Sequence, residues 1–462
     1  PPVFVGDAPL RVPQHKEGTI KKRIIILLVL VLLAVTWLAT CLYGTIPGDE
    51  PISEVIDPPS ADDPAPSKEP EPVDNRPFPG QTLTLGIWRS NDAGFAAIEV
   101  LREEFEKNTG ATIEWHIYDD INAELIADFV TETAPDAFEI DAFWAEYYVD
   151  RGVLEPLDPG LFGADVFYPG TIGAFTINDT LYAIPKNQFL LARYVNTSLL
   201  NAVGLNAADI PNNVEDYLEF LPGLQEKLDA EFGRGNVTAA SGVFELSRML
   251  HILTRGDARP VLPNGNANLG DSKVREHTEF VMSLFNTGAM KIPQNMGVGW
   301  NGEAFGLGLC VIMEEGNWVY NYLQSEFPEV SFEIINMPAY LRQRSSMSFT
   351  TGWGIYSKSP NKELAEAWIL YKTGFDGMLL WCTSTGLLPT REDVAAEMAP
   401  SLSPGLNVHM AQSENATVWN LGIHGNIIDD MWNFYSRRLL SGDISVTAFL
   451  DTVSNEANAM MG

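Results

Sequence analysis

LTLGIW (83–88), FAAIEVLREEFEK (95–107), TIEWHI (112–117) and PDAFEI (135–140) follow one another along one stretch of chain. The first, third and fourth are short runs rich in β-branched and aromatic residues, which spacing and composition predict to be strands. The second places Ile98, Leu101 and Phe105 on one helical face, with Gly110 to stop it, and Asp120 to Thr133 predicts a second helix. Strand, helix, strand, helix, strand argues for a parallel sheet covered by helices. Ligands of such sheets sit beyond the carboxyl ends of the strands. Trp88, Asp119 or Asp120, and Asp141 to Trp144 fall there.

Around this stretch lies a chain of 462 residues, long for a single core, with 61 acidic against 29 basic residues. A net charge of −32 leaves no basic footprint of the size a nucleic-acid binder needs. Three cysteines exclude a disulfide scaffold and a cysteine-rich zinc module.

The charge is distributed in segments. Residues 1–23 hold Lys16, Lys21, Lys22 and Arg23, and Ile24 to Tyr43 reads IIILLVLVLLAVTWLATCLY without a charge. At about 1.5 Å per residue such a helix spans a hydrocarbon core of roughly 30 Å. The positive-inside rule puts the N-terminus in the cytoplasm and the rest outside. We expect an uncleaved signal-anchor over 24–43; a cleaved signal peptide is the alternative, and the sequence around Cys41 resembles a bacterial lipoprotein box. Residues 44–80 hold ten of the 30 prolines and nine acids, and predict a semi-rigid extracellular spacer. Residues 81–462 keep enough chain for two lobes and a cleft.

Several motifs after the spacer share an order with a known family: LREEFE (101–106), TAPD (133–136), DAFW (141–144), GVLEPL (152–157), LYAIP (181–185), WNGEAFG (300–306), MEEGNW (313–318), TGWGI (351–355), SPNKELA (359–365) and GLLPTR (386–391). The run resembles extracellular solute-binding proteins of the carbohydrate-uptake class, the maltose-binding-protein superfamily. The resemblance implies an α/β, two-lobed, periplasmic-binding-protein-like (type II) clamshell, here preceded by a transmembrane helix and a Pro-rich acidic linker. It implies lobe 1 from about 81–186 and 350–387, and lobe 2 from about 187–349 and 388–462. The expected partners are a mono- or oligosaccharide, an ABC-importer permease and, through residues 24–43, the lipid bilayer.

A sugar offers apolar C–H faces and rims of hydroxyls, so its site needs flat aromatic platforms and oriented polar groups. Ten of the 11 tryptophans lie after the spacer. Trp88, Trp144, Trp300, Trp318 and Trp353 fall at predicted strand ends or loops, and the resemblance favours Trp318 and Trp353 as stackers, with Tyr320 beside them. Asp141, Asp120 and Glu303 are candidate acceptors, and Arg391 a candidate donor. Many family members place an acid after the first crossing; here Asn187 and Gln188 follow Ile184-Pro185-Lys186, and these amides are the candidates.

Two local patterns are set aside. Gly297-Val298-Gly299-Trp300-Asn301-Gly302 matches GxGxxG but follows no strand, and Trp300 would crowd a phosphate. Asp136, Glu139 and Asp141 lack the spacing of a calcium loop. No cofactor, metal or catalytic residue is expected. A receptor that captures solute by hinge closure is the first reading. A non-transporting subunit that keeps the clamshell is the second, and a glycan-active enzyme is not supported.

Overall fold

The computed structural model describes residues 74–461. The expected cytoplasmic segment, the signal-anchor and nearly all of the spacer lie outside the described residues. Among the described residues no helix is long and apolar enough to cross a membrane.

The predicted β-α-β-α-β order is present. β1 (Thr82–Trp88), β2 (Thr112–Tyr118) and β3 (Ala137–Asp141) alternate with helices Asp92–Thr109 and Ile121–Thr131. β1 pairs in parallel with both neighbours. The helix Asp92–Thr109 buries Ile98, Leu101 and Phe105, the face its spacing marks out. A hairpin of β4 (Thr176–Ile177) and β5 (Thr180–Leu181) leads into β6 (Ala183–Asn196).

The remaining strands are β7 (Thr238–Ser241), β8 (Met290–Lys291), β9 (Cys310–Gly316), β10 (Phe332–Ile335), β11 (Ser346–Ile355) and β12 (Ala416–Val418). One sheet runs β2-β1-β3-β11-β6-β9-β7-β8, with β10 added on β6 and β12 on β11. β6 and β11 therefore cross between lobes. The first half of β6 pairs with β11 and its second half with β9 and β10. β11 pairs with β12 at its start and with β3 at its end.

Two large apolar cores lie on either side of this crossing. The first gathers Leu83, Phe138, Trp353 and Trp368. The second gathers Leu221, Ile312, Trp432 and Phe449. Val394 and Met398 belong to the first core, so the helix Glu392–Met398 goes with lobe 1. Among the described residues Cys310 and Cys382 are free and buried, Cys382 within the first core.

Candidate functional site

The strand ends of both lobes converge on the crossing. β1, β2 and β3 end at Trp88, Tyr118 and Asp141; β7 and β9, which are parallel to each other, end at Ser241 and Gly316. Between them the floor is made by β6 and β11, where Asn187 faces Thr351 and Phe189 faces Phe349 across the ladder. Asp141 faces Thr351 from the other side. Residues opposite one another in antiparallel strands share a sheet face, so Asp141, Thr351, Asn187, Phe189 and Phe349 line one face. Phe189, Phe349, Thr351 and Asp141 are half-buried there, whereas Gln188, Thr350 and Ser348 on the opposite face are buried.

Trp318 stands at the lobe 2 end of this floor. Its ring packs edge-to-face with Phe349 at 5.4 Å and with Phe189 at 5.8 Å. Arg248, in the first turn of the helix Leu246–Leu253 that follows β7, holds its guanidinium 5.1 Å from the Trp318 ring and 5.6 Å from Phe349. Its Nη2 pairs with Glu315 at 3.3 Å. Glu315 is buried and also accepts from Asn301 and from the Gly316 N–H, while Asn301 accepts from Ser241. Sequence reading names Trp318 but not its neighbours Arg248, Phe189 and Phe349. They come from three distant segments without a shared motif; the available signal was Arg248 shortly after the buried strand TAAS (238–241).

On the lobe 1 side, Trp88 is half-buried and its backbone N–H donates to Glu139. Glu139 also accepts from Lys186, whose ammonium lies 5.6 Å from the Trp88 ring and 5.2 Å from Trp381. Asp120 and Asp141 are helix N-caps, accepting from Ala123 and Phe143 respectively. Each cap contributes about 1 kcal/mol, which explains an Asp at these strand ends before any ligand is considered. Asp120 is exposed. Burial pushes the Asp141 carboxyl up to about 6 against the Phe143 N–H that lowers it. Trp144 packs edge-on against Phe143 and Tyr147.

The other candidates are placed elsewhere. Trp353 is fully buried and has no open face for stacking, because the helix Lys362–Thr373 lays Trp368 against it. Tyr320 is two helical positions beyond Trp318, about 200° round the axis, and it lines a separate lobe 2 groove with Phe332 and Val408. Trp300 packs on Tyr322 at 4.7 Å, and its ring takes the space of a Gly302 side chain, so the GxGxxG match is a packing feature. Glu303 accepts from the Gly299 N–H and ties that turn. Arg391 pairs with Asp393 at the start of its helix. Asn187 accepts from Trp381 and is buried. Gln188 donates to the Pro389 carbonyl and to Ser413. The two amides thus hold the crossing in place.

A cavity of about 850 Å³ opens between the lobes beside the helix Ala142–Asp150. Glu146 and Ala174 line it from lobe 1, and Leu250, Val261 and Leu421 from lobe 2. That volume suits a small ligand, but its walls hold no aromatic ring. The aromatic cluster of Trp318, Phe189 and Phe349 lies at the strand ends instead. Phe143 and Glu146 share a helix, and the Phe143 ring meets Trp419 where Asn420 donates to Glu146, so the two places adjoin.

Residues 101–406 match the bacterial extracellular solute-binding protein family. The chain belongs to this family. Two solved structures share the fold. The GacH receptor of Streptomyces glaucescens, solved unliganded and with acarbose, is 19% identical with a TM-score of 0.66, over 81% of this chain and 97% of that one. An ABC substrate-binding protein of Listeria monocytogenes, in complex with cycloalternan, is 16% identical with a TM-score of 0.68, over 83% and 99%. The two-lobed solute-binding architecture expected from the motifs is therefore shown.

Proposed function

We propose that this solute-binding protein is an extracellular carbohydrate receptor, tethered to the membrane through residues 24–43, that hands its ligand to an ABC-importer permease. The observation that carries the sugar reading is the Trp318–Phe349–Phe189 cluster at the crossing, whose two phenylalanines share a sheet face with Asp141. Trp318 supplies a broad apolar platform, and Asp141 supplies an oriented acceptor. A ligand that touches both lobes favours the closed clamshell by its differential affinity for that state. The solutes named for the similar structures, acarbose and cycloalternan, are oligosaccharides, which supports ligands longer than a single ring.

The test is calorimetric titration of the purified full chain with acarbose, cycloalternan and linear glucosides of increasing length. Binding that Trp318→Ala abolishes and Trp300→Ala leaves intact is the expected result. A folded protein that binds none of them overturns the carbohydrate assignment and favours the non-transporting subunit.

A further inference from the structure

Arg248 belongs to no motif that led to the cleft, yet it joins the rings of Trp318 and Phe349 to a buried polar network of lobe 2. Its guanidinium lies over two rings at once, Trp318 and Phe349. Behind it runs a buried chain of donors and acceptors: Ser241 Oγ to Asn301 Oδ1 at 2.6 Å, Asn301 Nδ2 to Glu315 Oε1, and Arg248 Nη2 to Glu315 Oε2, both at 3.3 Å. Ser241, Asn301 and Glu315 are each at most 2% exposed. Glu315 thus accepts at Oε1 from Asn301, which Ser241 at the end of β7 holds in turn, and at Oε2 from the Gly316 N–H at the end of β9 as well as from Arg248.

A stacking platform works only if its plane is set before the ligand arrives, since ordering a free indole on binding costs affinity. Trp318 is the first residue of its helix, and its ring lies directly on Gly316, two residues earlier, where any side chain would collide with it. Phe189 and Phe349 touch the ring at steep angles, 60° and 76°, and so set its position more than its tilt. The Arg248 guanidinium, 5.1 Å from the ring centroid and itself tied to Glu315, adds a further constraint on the ring.

We propose that Arg248 is the positioning residue of the ligand platform: anchored through Glu315, Asn301 and Ser241, it holds the Trp318 indole in the plane a sugar ring stacks on. The proposal rests on reading Trp318 as that platform. Its consequence for specificity is that the charge of Arg248 is already matched by Glu315. Lobe 2 therefore presents a neutral aromatic surface there and does not select for an acidic sugar.

The test is fluorine NMR of the full chain labelled with 5-fluorotryptophan, without ligand, the Trp318 resonance being assigned by Trp318→Phe. Arg248→Met should move or split that resonance and leave those of the core tryptophans unchanged. Glu315→Gln should do the same, and Arg248→Lys should restore it only in part, because an ammonium keeps the charge but not the plane. A Trp318 resonance that stays put in both Arg248→Met and Glu315→Gln overturns the proposal. If Arg248→Met does not fold, the Glu315→Gln and Arg248→Lys spectra decide. Acarbose titration of the same variants separates the two claims. Weakening of about tenfold, the equivalent of about 1.4 kcal/mol, is expected in Arg248→Met. Wild-type protein that ignores acarbose but shows the resonance shifts sinks the choice of ligand and keeps the positioning role.

Discussion

Phe143 and Trp419 stack face to face, their ring centroids 4.8 Å apart and their planes within 3°, although one begins a lobe 1 helix and the other follows β12 in lobe 2. The pair sits where two strands meet end to end. β3 reaches Thr351 and β12 reaches Ser348 on the same strand, β11, and both chains then turn away. The Trp419 N–H donates to the Ser348 carbonyl, and Asn420 reaches the Ala142 carbonyl at 3.4 Å. Contact between lobes thus concentrates at the crossing, beside Asp141.

Removing the stack should therefore loosen the clamshell without unfolding it. An aromatic pair contributes about 1 kcal/mol beyond its buried area. Trp419→Leu should broaden and lengthen the ligand-free distance between spin labels at two exposed sites, Val130 in lobe 1 and Phe434 in lobe 2, on a Cys41→Ser background. An unchanged distance distribution would show that the stack does not set the resting angle.

Lys372 predicts an effect on stability. Its ammonium is buried without a hydrogen-bond partner among the described residues, 4.2 Å from the Trp381 ring, while Lys186 takes the nearby Glu139. Burial first, and then the charge of Lys186, pushes its pKa down from 10.5 to about 7. The unfolded chain binds this proton more readily than the folded one, so the lysine makes stability rise with pH between about 7 and 10.5. Lys372→Met should raise the melting temperature at pH 7 and flatten the rise between pH 7 and 9.5. A variant less stable than wild type at pH 7 would mean that Lys372 has a partner.

How far the sequence reaches depends on the range of each signal. The alternation of LTLGIW and the spacing of Ile98, Leu101 and Phe105 are local, and the helix and strands they predict are present. That Asp120 and Asp141 stand at strand ends was legible; that they cap the following helices was not read from them, although Asp is a common capping residue. Asn187 and Gln188 looked like a departure in ligand contacts. They instead bond to Trp381, Pro389 and Ser413, each about two hundred positions away, which no local pattern reveals. Trp353 failed for a related reason: it shares the face of Thr351 and Asp141, but the helix Lys362–Thr373 covers it there through Trp368, a contact that no local pattern shows.

Trp318 and Trp353, equals by motif, should therefore separate in the laboratory. Trp353→Ala empties a fully buried site and should cost about 3–5 kcal/mol of stability. Trp318→Ala removes a half-buried ring at the crossing and should cost much less, while abolishing solute binding. Chemical denaturation and titration of both variants check this together. A Trp353→Ala protein of wild-type stability would contradict its placement in the core.

Asp141 gives the pH dependence of binding its direction. As an ionised carboxylate it accepts the Phe143 N–H and has a second oxygen for a ligand hydroxyl, and bonds to an ionised acceptor are about twice as strong as neutral ones. With its pKa raised by burial to about 6, the carboxylate is largely ionised at pH 7.5 and largely protonated at pH 5. Solute affinity should therefore fall as pH drops through 6. The stability contribution runs the other way. The folded state holds this proton more tightly than the unfolded one, so Asp141 makes stability fall as pH rises from about 3.8 to 6. Asp141→Asn should keep the cap and remove both dependences, binding at pH 7.5 no better than wild type does at pH 5. If the wild-type affinity is flat across pH 6 while Asp141→Asn still weakens it, the ligand touches the cap and not the charge.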